Sequence, residues 1–532
     1  MESARKTQKT QKTYDHIVVG AGSAGCVIAR RLVDAGRSVL LIEAGGPDDN
    51  PAIHDPGRMW ELWTSPEDYA YLTEPQQHAD GTRVFWPRGR VLGGTSAINA
   101  MIYVRGHRSD YDDWATRHGA TGWSHDEVLP YFKRSEDFED GPSHHHGSGG
   151  PMPVTRNHAP NPVSLAFVEA CEQYGIPHND DCNGEEILGV NLLHLNIRDG
   201  KRVSAWTAFV QPVLDSPLLT VLTGSPVARV LVEGGSARGV EVIEDGRLTA
   251  IRCSGDVVLS GGTIGSAQLL LLSGIGPADE LRSLGIDTVI DLPGVGANLH
   301  DHALAPVVYE SARPVPPGTA NKIEAQYFAK TDPSLAAPDL QPVMSHVPLP
   351  VVGQEVPAEG HGYTIAPGTI RTLSRGRLWL RSADPTQAPA LDPRYFAEPD
   401  DLRAMVTAVR QVREIGDQKA LAHWRAREVA PGPAVVTDDE IASYVKRNLA
   451  SYHHQVGTCR MGTGPGSVVD PRLRVHGVPG LRVADASVMP VVPSGNTHAP
   501  TVMIGERCAD FLLEKDPSGA QSLVTPSFID SH

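Results

Sequence analysis

The chain has 532 residues, which is too many for one simple hydrophobic core and predicts two or more lobes. It carries 47 Lys and Arg residues against 63 Asp and Glu residues, so its formal net charge at pH 7 is -16. An acidic surface disfavours nucleic acid and anionic lipid as partners, because both bind basic surfaces. No apolar run is long enough to cross a membrane, and the sequence therefore predicts no membrane span.

Cysteine usage and the start of the chain bear on the cellular compartment. The six cysteines form no C-x-x-C pair, so neither a disulfide framework nor a zinc site is expected, and a reducing cytoplasm is the predicted location. Residues 1–13 are polar and basic, without the apolar stretch of a signal peptide. We therefore expect flexible tails at 1–13 and 516–532.

The first predicted unit is a strand, a helix and a second strand. Residues 15–19 favour a strand, helical spacing follows at 26–32, and 39–42 form a second apolar strand. The turn between strand and helix contains Gly20, Gly22, Ser23 and Gly25. In this pattern the first glycine permits a tight turn, the second lets backbone approach a diphosphate, and the third lets the helix pack on the strand.

A carboxylate, Glu43, directly follows the second predicted strand. At that place a carboxylate accepts hydrogen bonds from a ribose diol. The strand, the glycines, the helix and Glu43 together predict a bound dinucleotide cofactor. They do not by themselves separate NAD from FAD.

Shorter patterns predict the remaining elements. Residues 140–163 are rich in Gly, Pro and His and are expected to form a loop. The histidines at 144–146 lie in it without the fixed geometry that a metal needs, so no metal site is expected. Short strands are predicted at 218–260, irregular Pro-rich structure at 311–370, and helices at 267–272, 401–415 and 501–513.

A second glycine motif, Gly93-Gly94-Thr95-Ser96, lies within residues 88–99, and further motifs occupy 262–277, 294–302 and 483–490. Paired glycines let backbone approach a ligand closely. Together with residues 20–25, these segments resemble the glucose–methanol–choline (GMC) oxidoreductase family. The resemblance covers roughly residues 14–513.

The resemblance implies an α/β fold (α+β overall) with two lobes. A Rossmann-like FAD-binding lobe is expected from 14–160, 218–305 and 463–515. A substrate-binding lobe is expected from 161–217 and 306–462, with an antiparallel sheet and helices.

The resemblance also implies FAD as the cofactor. The residues expected to bind it are Gly20, Gly22, Ser23, Gly25, Glu43, Ala44, Arg90, Gly93, Gly94, Asn99, Ile102, Val227, Asp485, Ala486, His498 and Thr501. Some relatives link FAD covalently through a histidine in the second motif. Position 98 is Ile98 here, so non-covalent FAD is expected.

Two separated polar residues are the candidate catalytic pair. Oxidising an alcohol by hydride removal also requires its hydroxyl proton to leave, and imidazole is suited to accept it. The family carries its catalytic histidine in an H-x-x-G-T segment, which His454 matches, and its partner position matches Asn496. The neighbouring His453 is expected to point elsewhere, and His300 and His302 are expected to be structural or to lie behind the site.

The implied reaction is oxidation of a small primary alcohol to an aldehyde, with electrons passed to O2 or another acceptor. Segments 195–200 and 313–317 resemble family members that oxidise pyridoxine. The alternative is an enzyme similar to members that oxidise choline or other alcohols, whose partner asparagine Asn496 matches. A remote alternative is a hydroxynitrile lyase with idle FAD. The alcohol and the oligomeric state stay open.

Overall fold

The computed structural model describes residues 13–514, so the tails expected at 1–13 and 516–532 lie, apart from Thr13, outside the described residues. Within this range no helix is long and apolar enough to cross a membrane. The α-helices span Ser23–Asp34, Pro51–His54, Arg108–Arg117, His125–Ser135, Pro162–Tyr174, Gly262–Leu272, Ala278–Ser283, Pro399–Gly416, Asp438–Arg447 and His498–Leu513.

A five-stranded parallel sheet is built from strands that lie far apart in the chain. Its order is Leu219–Leu222, Val39–Ile42, His16–Val19, Val257–Leu259 and Leu481–Val483. The central strands are nearly continuous runs of Val, Leu and Ile, because a parallel sheet is buried on both faces. Helix Ser23–Asp34 connects the first two strands and packs against helix His498–Leu513.

A six-stranded antiparallel sheet forms the other half of the molecule. Its order is Arg425–Ala430, Val307–Ser311, Gly362–Ala366, Val343–Ser345, Ile323–Phe328 and Gly189–Leu192. Helices Pro162–Tyr174 and Pro399–Gly416 pack against it. The predicted fold class, with one parallel and one antiparallel sheet, is confirmed. The strands fall within the segments assigned to each lobe from the sequence, and the lobe boundaries themselves stay a prediction.

Smaller sheets complete the described structure. A three-stranded antiparallel sheet contains Val227–Glu233, Ser236–Glu244 and Arg247–Arg252. The other short strands are Tyr71–Leu72, Phe85–Trp86, Glu136–Phe138, Met152–Arg156, His194–Leu195, Ile197–Arg198, Lys201–Arg202, Ile275–Gly276, Ile290–Asp291, Ala297–Leu299, Ala303–Leu304, Gly368–Thr369, Gly376–Trp379, Ala390–Asp392 and Ala450–Ser451.

Two of the loop predictions were wrong. Met152–Arg156, inside the expected loop at 140–163, is a strand that pairs with Glu136–Phe138 and His194–Leu195. The region 311–370, expected to be irregular, contributes three strands to the antiparallel sheet. These strands are short and lie between prolines, so their local pattern is weak. Pairing with distant strands, which the sequence does not display, is what defines them.

The histidines at 144–146 are also more ordered than expected. His146 is buried, with Nδ1 3.0 Å from Glu136 Oε1 and Nε2 2.9 Å from Asp181 Oδ2. These carboxylates raise the pKa of His146 against the lowering effect of burial. Across residues 13–514 no group of three or more His, Cys, Asp or Glu side chains is arranged to hold a metal ion.

A buried ion-pair network joins the two helices that pack beside the parallel sheet. Glu506 of helix His498–Leu513 is fully buried, and both its oxygens bind Arg31, at 2.7 and 2.9 Å. Arg134 Nη2 lies 2.8 Å from Glu506 Oε2. Arg134 also pairs with Asp510, at 2.9 Å, so Arg31 is the guanidinium group that relies on the buried Glu506.

We predict that Glu506→Ala lowers the free energy of unfolding by about 2 kcal/mol, because the half-buried Arg31 loses its counter-ion while Arg134 keeps Asp510. Urea unfolding of the holoenzyme measures the change. Glu233→Ala, which removes the partner of Arg252 from an exposed pair, is the control and should change stability little. Equal losses in the two variants would contradict the prediction.

Candidate active site

A cavity of about 1270 Å³ lies at the carboxyl ends of the parallel strands, where ligands bind in open α/β sheets. Residues at or just past four strand ends line it: Gly20, Glu43, Ser260 and Asp485. The antiparallel sheet also contributes to the wall, through Ile323, Val343, Ser345 and Ala366. The cavity is therefore bounded by both sheets.

The first glycine motif leads into a helix at this cavity. Gly20 has a φ of +103°, and a Cβ on Gly25 would overlap the carbonyl of Gly20. Gly22 and Ser23 line the cavity at the start of helix Ser23–Asp34, which has no side-chain cap and no acidic residue in its first turn. The N–H groups of this turn suit a diphosphate.

Glu43 is buried in the cavity wall beside this turn. Its carboxylate accepts hydrogen bonds from the backbone N–H groups of Ala21, at 3.0 Å, and Gly45, at 2.9 Å. Burial raises the pKa of Glu43 to about 7, and these hydrogen bonds oppose the shift. Hydroxyl groups that donate to the carboxylate would favour its ionised form.

The second glycine motif packs directly against the first. Gly94 has a φ of +52°, and a Cβ there would lie 2.8 Å from the Cα of Gly22. Farther along the motif, Asn99 Oδ1 accepts hydrogen bonds from Arg202 Nη1, at 2.8 Å, and from the Met101 N–H, at 2.9 Å. Burial lowers the pKa of Arg202 to about 9.

The C-terminal segments reach the same wall. Asp485 accepts hydrogen bonds from Ser266 Oγ, at 2.6 Å, and from the Gly262 N–H, at 2.9 Å. His498 Nδ1 lies 2.9 Å from Ser23 Oγ. Burial lowers the pKa of His498 to about 4, so its ring is neutral at neutral pH.

The cavity brings together most of the residues predicted to bind the cofactor. Those that line it are Gly20, Gly22, Ser23, Glu43, Ala44, Arg90, Gly94, Asn99, Ile102, Val227, Asp485, Ala486, His498 and Thr501. The structure differs from the prediction at Gly25 and Gly93, which do not line it. Gly25 packs against Gly20, and the Gly93 N–H donates a hydrogen bond to the carbonyl of Ala21, at 2.8 Å. Both glycines therefore support the wall from behind.

The two predicted catalytic residues meet at the cavity. His454 Nε2 lies 3.1 Å from Asn496 Nδ2, across 42 residues of sequence. Asn496 Oδ1 accepts a hydrogen bond from Gln341 Nε2 at 2.9 Å, and His454 Nδ1 lies 3.0 Å from His302 Nδ1. Burial, followed by the charge of His302, lowers the pKa of His454 well below its ordinary value. The imidazole is therefore neutral at neutral pH.

A buried carboxylate, Asp301, fixes the catalytic segment. It accepts hydrogen bonds from the backbone N–H groups of His302, at 2.9 Å, and His454, at 2.8 Å. Three side chains also donate to it, those of Tyr395, Ser451 and Gln455. His300 and His302 were expected to be structural or to lie behind the site, but the sequence does not identify the carboxylate between them as the group that binds the His454 backbone.

An aromatic wall beside His454 was missed from the sequence. Trp60, Trp63 and Phe85 line the cavity, and the Trp63 ring centroid is 6.4 Å from that of Trp60 and 6.5 Å from that of Phe85. His453, expected to point away, also lines the cavity and meets Trp63 edge-on at 5.0 Å. No motif marks these aromatic residues, and only the folded contacts reveal them.

Two family models, both described as GMC oxidoreductase, match residues 14–304 and 372–505. The chain belongs to the GMC oxidoreductase family. It is 40% identical to mitochondrial choline dehydrogenase of Homo sapiens, over 95% of this chain and 90% of that one. It is 39% identical to an alcohol dehydrogenase [acceptor] of Pseudomonas putida, over 94% and 96% of the two chains.

The fold comparison agrees with this assignment. The crystal structure of pyridoxine 4-oxidase from Mesorbium loti superposes with a TM-score of 0.90, at 36% identity, covering 94% of this chain and 99% of that one. GMC oxidoreductases bind FAD and act on CH–OH groups, so the prediction of a FAD-dependent oxidoreductase acting on alcohols is confirmed. The uncapped helix start, buried Glu43 and the close approach of Gly22 and Gly94 fit such a cofactor.

We predict that FAD binds more tightly as the pH rises from about 6 to about 8, because the pKa of Glu43 is raised to about 7 and only the carboxylate accepts both ribose hydroxyls. The fraction of FAD released on dilution of the holoenzyme measures this. Glu43→Gln should weaken binding by about tenfold and flatten the pH dependence. A pH dependence that Glu43→Gln leaves unchanged would assign it to another group.

Proposed function

We propose that this GMC oxidoreductase oxidises an uncharged primary alcohol to the aldehyde, with His454 and Asn496 binding the hydroxyl group. The observation that carries the proposal is the 3.1 Å approach of His454 Nε2 and Asn496 Nδ2 at the wall of the cavity. A hydroxyl oxygen that lies beside both atoms can accept a hydrogen bond from the amide, while its proton takes the place of the amide hydrogen at His454 Nε2.

The protonation state of His454 suits the role of proton acceptor. Its pKa lies well below the ordinary value because it is buried, so Nε2 can take the hydroxyl proton at neutral pH. Asn496 holds the oxygen in place as negative charge develops on it. Bound FAD supplies the acceptor for the hydride that leaves the alcohol carbon.

The cavity wall supports an uncharged substrate. Apolar and aromatic side chains line the cavity that holds the catalytic pair, among them Trp60, Trp63, Phe85, Leu304, Ile323 and Val343. Of the described residues that line the cavity, only Glu43 and Asp485 are carboxylates, and both follow strands of the parallel sheet. The Trp60 ring already has Lys322 Nζ at 5.4 Å from its centroid. A quaternary ammonium would therefore find little compensation for its lost hydration.

A pyridoxine-like hydroxymethyl compound fits this wall better than choline, which is the alternative substrate class. We also propose that FAD is held without a covalent bond, since Ile98 occupies the position of the linking histidine in some relatives. Electrons pass to O2 or another acceptor. The six buried, unpaired cysteines support a reducing compartment such as the cytoplasm.

We predict that His454→Ala slows anaerobic flavin reduction by alcohol about 100- to 10,000-fold, because the hydroxyl proton loses its acceptor. Stopped-flow absorbance of the holoenzyme measures the rate. His178→Ala, at an exposed site, is the control and should reduce at the wild-type rate. A wild-type rate in His454→Ala would end the catalytic assignment.

We predict that pyridoxine and benzyl alcohol bleach the flavin faster than choline at equal concentration, because the two carboxylates among the described lining residues, Glu43 and Asp485, follow strands of the parallel sheet. Anaerobic absorbance spectra compare the three alcohols, and admission of air then separates an oxidase from a dehydrogenase by the speed of reoxidation. Faster bleaching by choline would favour the alternative substrate. If no alcohol in a wider panel bleached the flavin, the result would favour a protein whose FAD takes no part in redox chemistry.

A further inference from the structure

A chain of side-chain amides leads from the antiparallel sheet to the catalytic pair. Gln341 is fully buried, and its Nε2 donates one hydrogen bond to Gln326 Oε1, at 2.8 Å, and another to Asn496 Oδ1, at 2.9 Å. Both hydrogens of this amide are therefore used. Because the Gln341 amide nitrogen donates to both neighbours, each neighbouring amide must turn its oxygen towards it.

The orientation of the Asn496 amide determines which of its atoms faces His454. Because Asn496 Oδ1 accepts from Gln341, its Nδ2 is the atom that faces His454 Nε2, at 3.1 Å. An amide nitrogen is only a donor, so the imidazole nitrogen opposite it must carry a lone pair rather than a hydrogen. A neutral His454 then carries its hydrogen on Nδ1.

The other side of the ring completes the arrangement. His454 Nδ1 lies 3.0 Å from His302 Nδ1, and the two rings meet edge to face with centroids 5.2 Å apart. Burial lowers the pKa of His302 to about 3, so its ring is neutral and can accept a hydrogen bond. His302 thus supplies an acceptor for the Nδ1–H of His454.

We propose that Gln341 and His302 are positioning residues that hold His454 in the Nδ1–H tautomer, so that Nε2 keeps a lone pair that faces Asn496 and can take the proton of a hydroxyl bound beside it. This inference rests on the proposed function of His454. A ring in the other tautomer would present a hydrogen to the hydroxyl proton that it has to remove. In hydrolytic triads, loss of the correct histidine tautomer costs about 10,000-fold in kcat.

Gln341→Glu tests the direction of the amide chain. At a pH where the introduced carboxyl is ionised it can only accept, so Asn496 must turn its nitrogen towards it and its oxygen towards His454, which favours the Nε2–H tautomer. We expect anaerobic flavin reduction to slow about 100-fold. The added negative charge also raises the pKa of His454, so the acidic limb of the rate profile should move to higher pH. Gln341→Met keeps the volume without the polarity, and should slow reduction less, without moving that limb.

The acidic limb of the rate profile can be assigned to His454 because few titratable or charged groups face this ring. They are His302 at Nδ1, His453 and Arg88, which lower its pKa, Tyr452 stacked on its ring, and Asp301 at its backbone N–H. His302→Leu removes the acceptor and should slow reduction by about tenfold or more, and His302→Gln should restore part of the rate through its side-chain carbonyl. If His302 had only a structural role, His302→Leu and His302→Gln would reduce the flavin at the same rate.

The outcomes separate this inference from the proposed function. Wild-type flavin reduction by His454→Ala ends the proposed function. A strong loss in His454→Ala, with an unchanged rate and unchanged acidic limb in Gln341→Glu, overturns only the positioning role. If Gln341→Glu does not fold, nitrogen-15 NMR of histidine-labelled holoenzyme decides, with His454→Ala identifying the signal. A lone-pair signal for Nε2 supports the inference, and an N–H signal at Nε2 overturns it.

Discussion

The active site depends on one buried carboxylate, Asp301, that accepts hydrogen bonds from two backbone N–H groups and three side chains. Burial raises its pKa, and those donors together with the charge of Arg88 oppose the shift. A buried charge is tolerated only when its oxygens are satisfied, so Asp301 restricts where the donors can lie. Two of them are the backbones of His302 and His454. The same group therefore fixes the backbones of His302 and His454 relative to one another.

The catalytic segment is also tied directly to the cofactor lobe. Thr263, on helix Gly262–Leu272, donates a hydrogen bond from Oγ1 to the carbonyl of Gln455, at 2.6 Å, and its own carbonyl accepts one from Thr458 Oγ1, at 2.5 Å. The N-terminus of the same helix donates to Asp485. A shift of this helix would therefore move the cofactor wall and the His454 segment together. That coupling would hold the proposed proton acceptor at a fixed place relative to the cofactor wall, as a reaction at a bound cofactor requires.

The cofactor half of the site could be predicted from the sequence because its residues act through local geometry. The glycine turn, the uncapped helix start and Glu43 lie within one βαβ unit, and their spacing carries the signal. The catalytic pair was predicted only from resemblance to the family. Gln341, Asp301 and Trp63 were missed because their roles depend on contacts across the two sheets. For the same reason the strands within 311–370 were not predicted: each is short, and its partners are distant in the chain.

Several buried polar atoms around His454 lack hydrogen-bond partners, as do others elsewhere in the described core, among them atoms of Asn191, His194 and Tyr309. Buried polar atoms normally have partners, yet His302 Nε2, His453 Nδ1, Gln341 Oε1 and Gln455 Oε1 have none within the described residues. Each such atom costs about 1–3 kcal/mol of stability. An apolar layer of the same shape would be more stable and could neither orient an imidazole nor remove a proton. On the proposed function of His454, the layer offsets this cost through the hydrogen bonds that orient the imidazole.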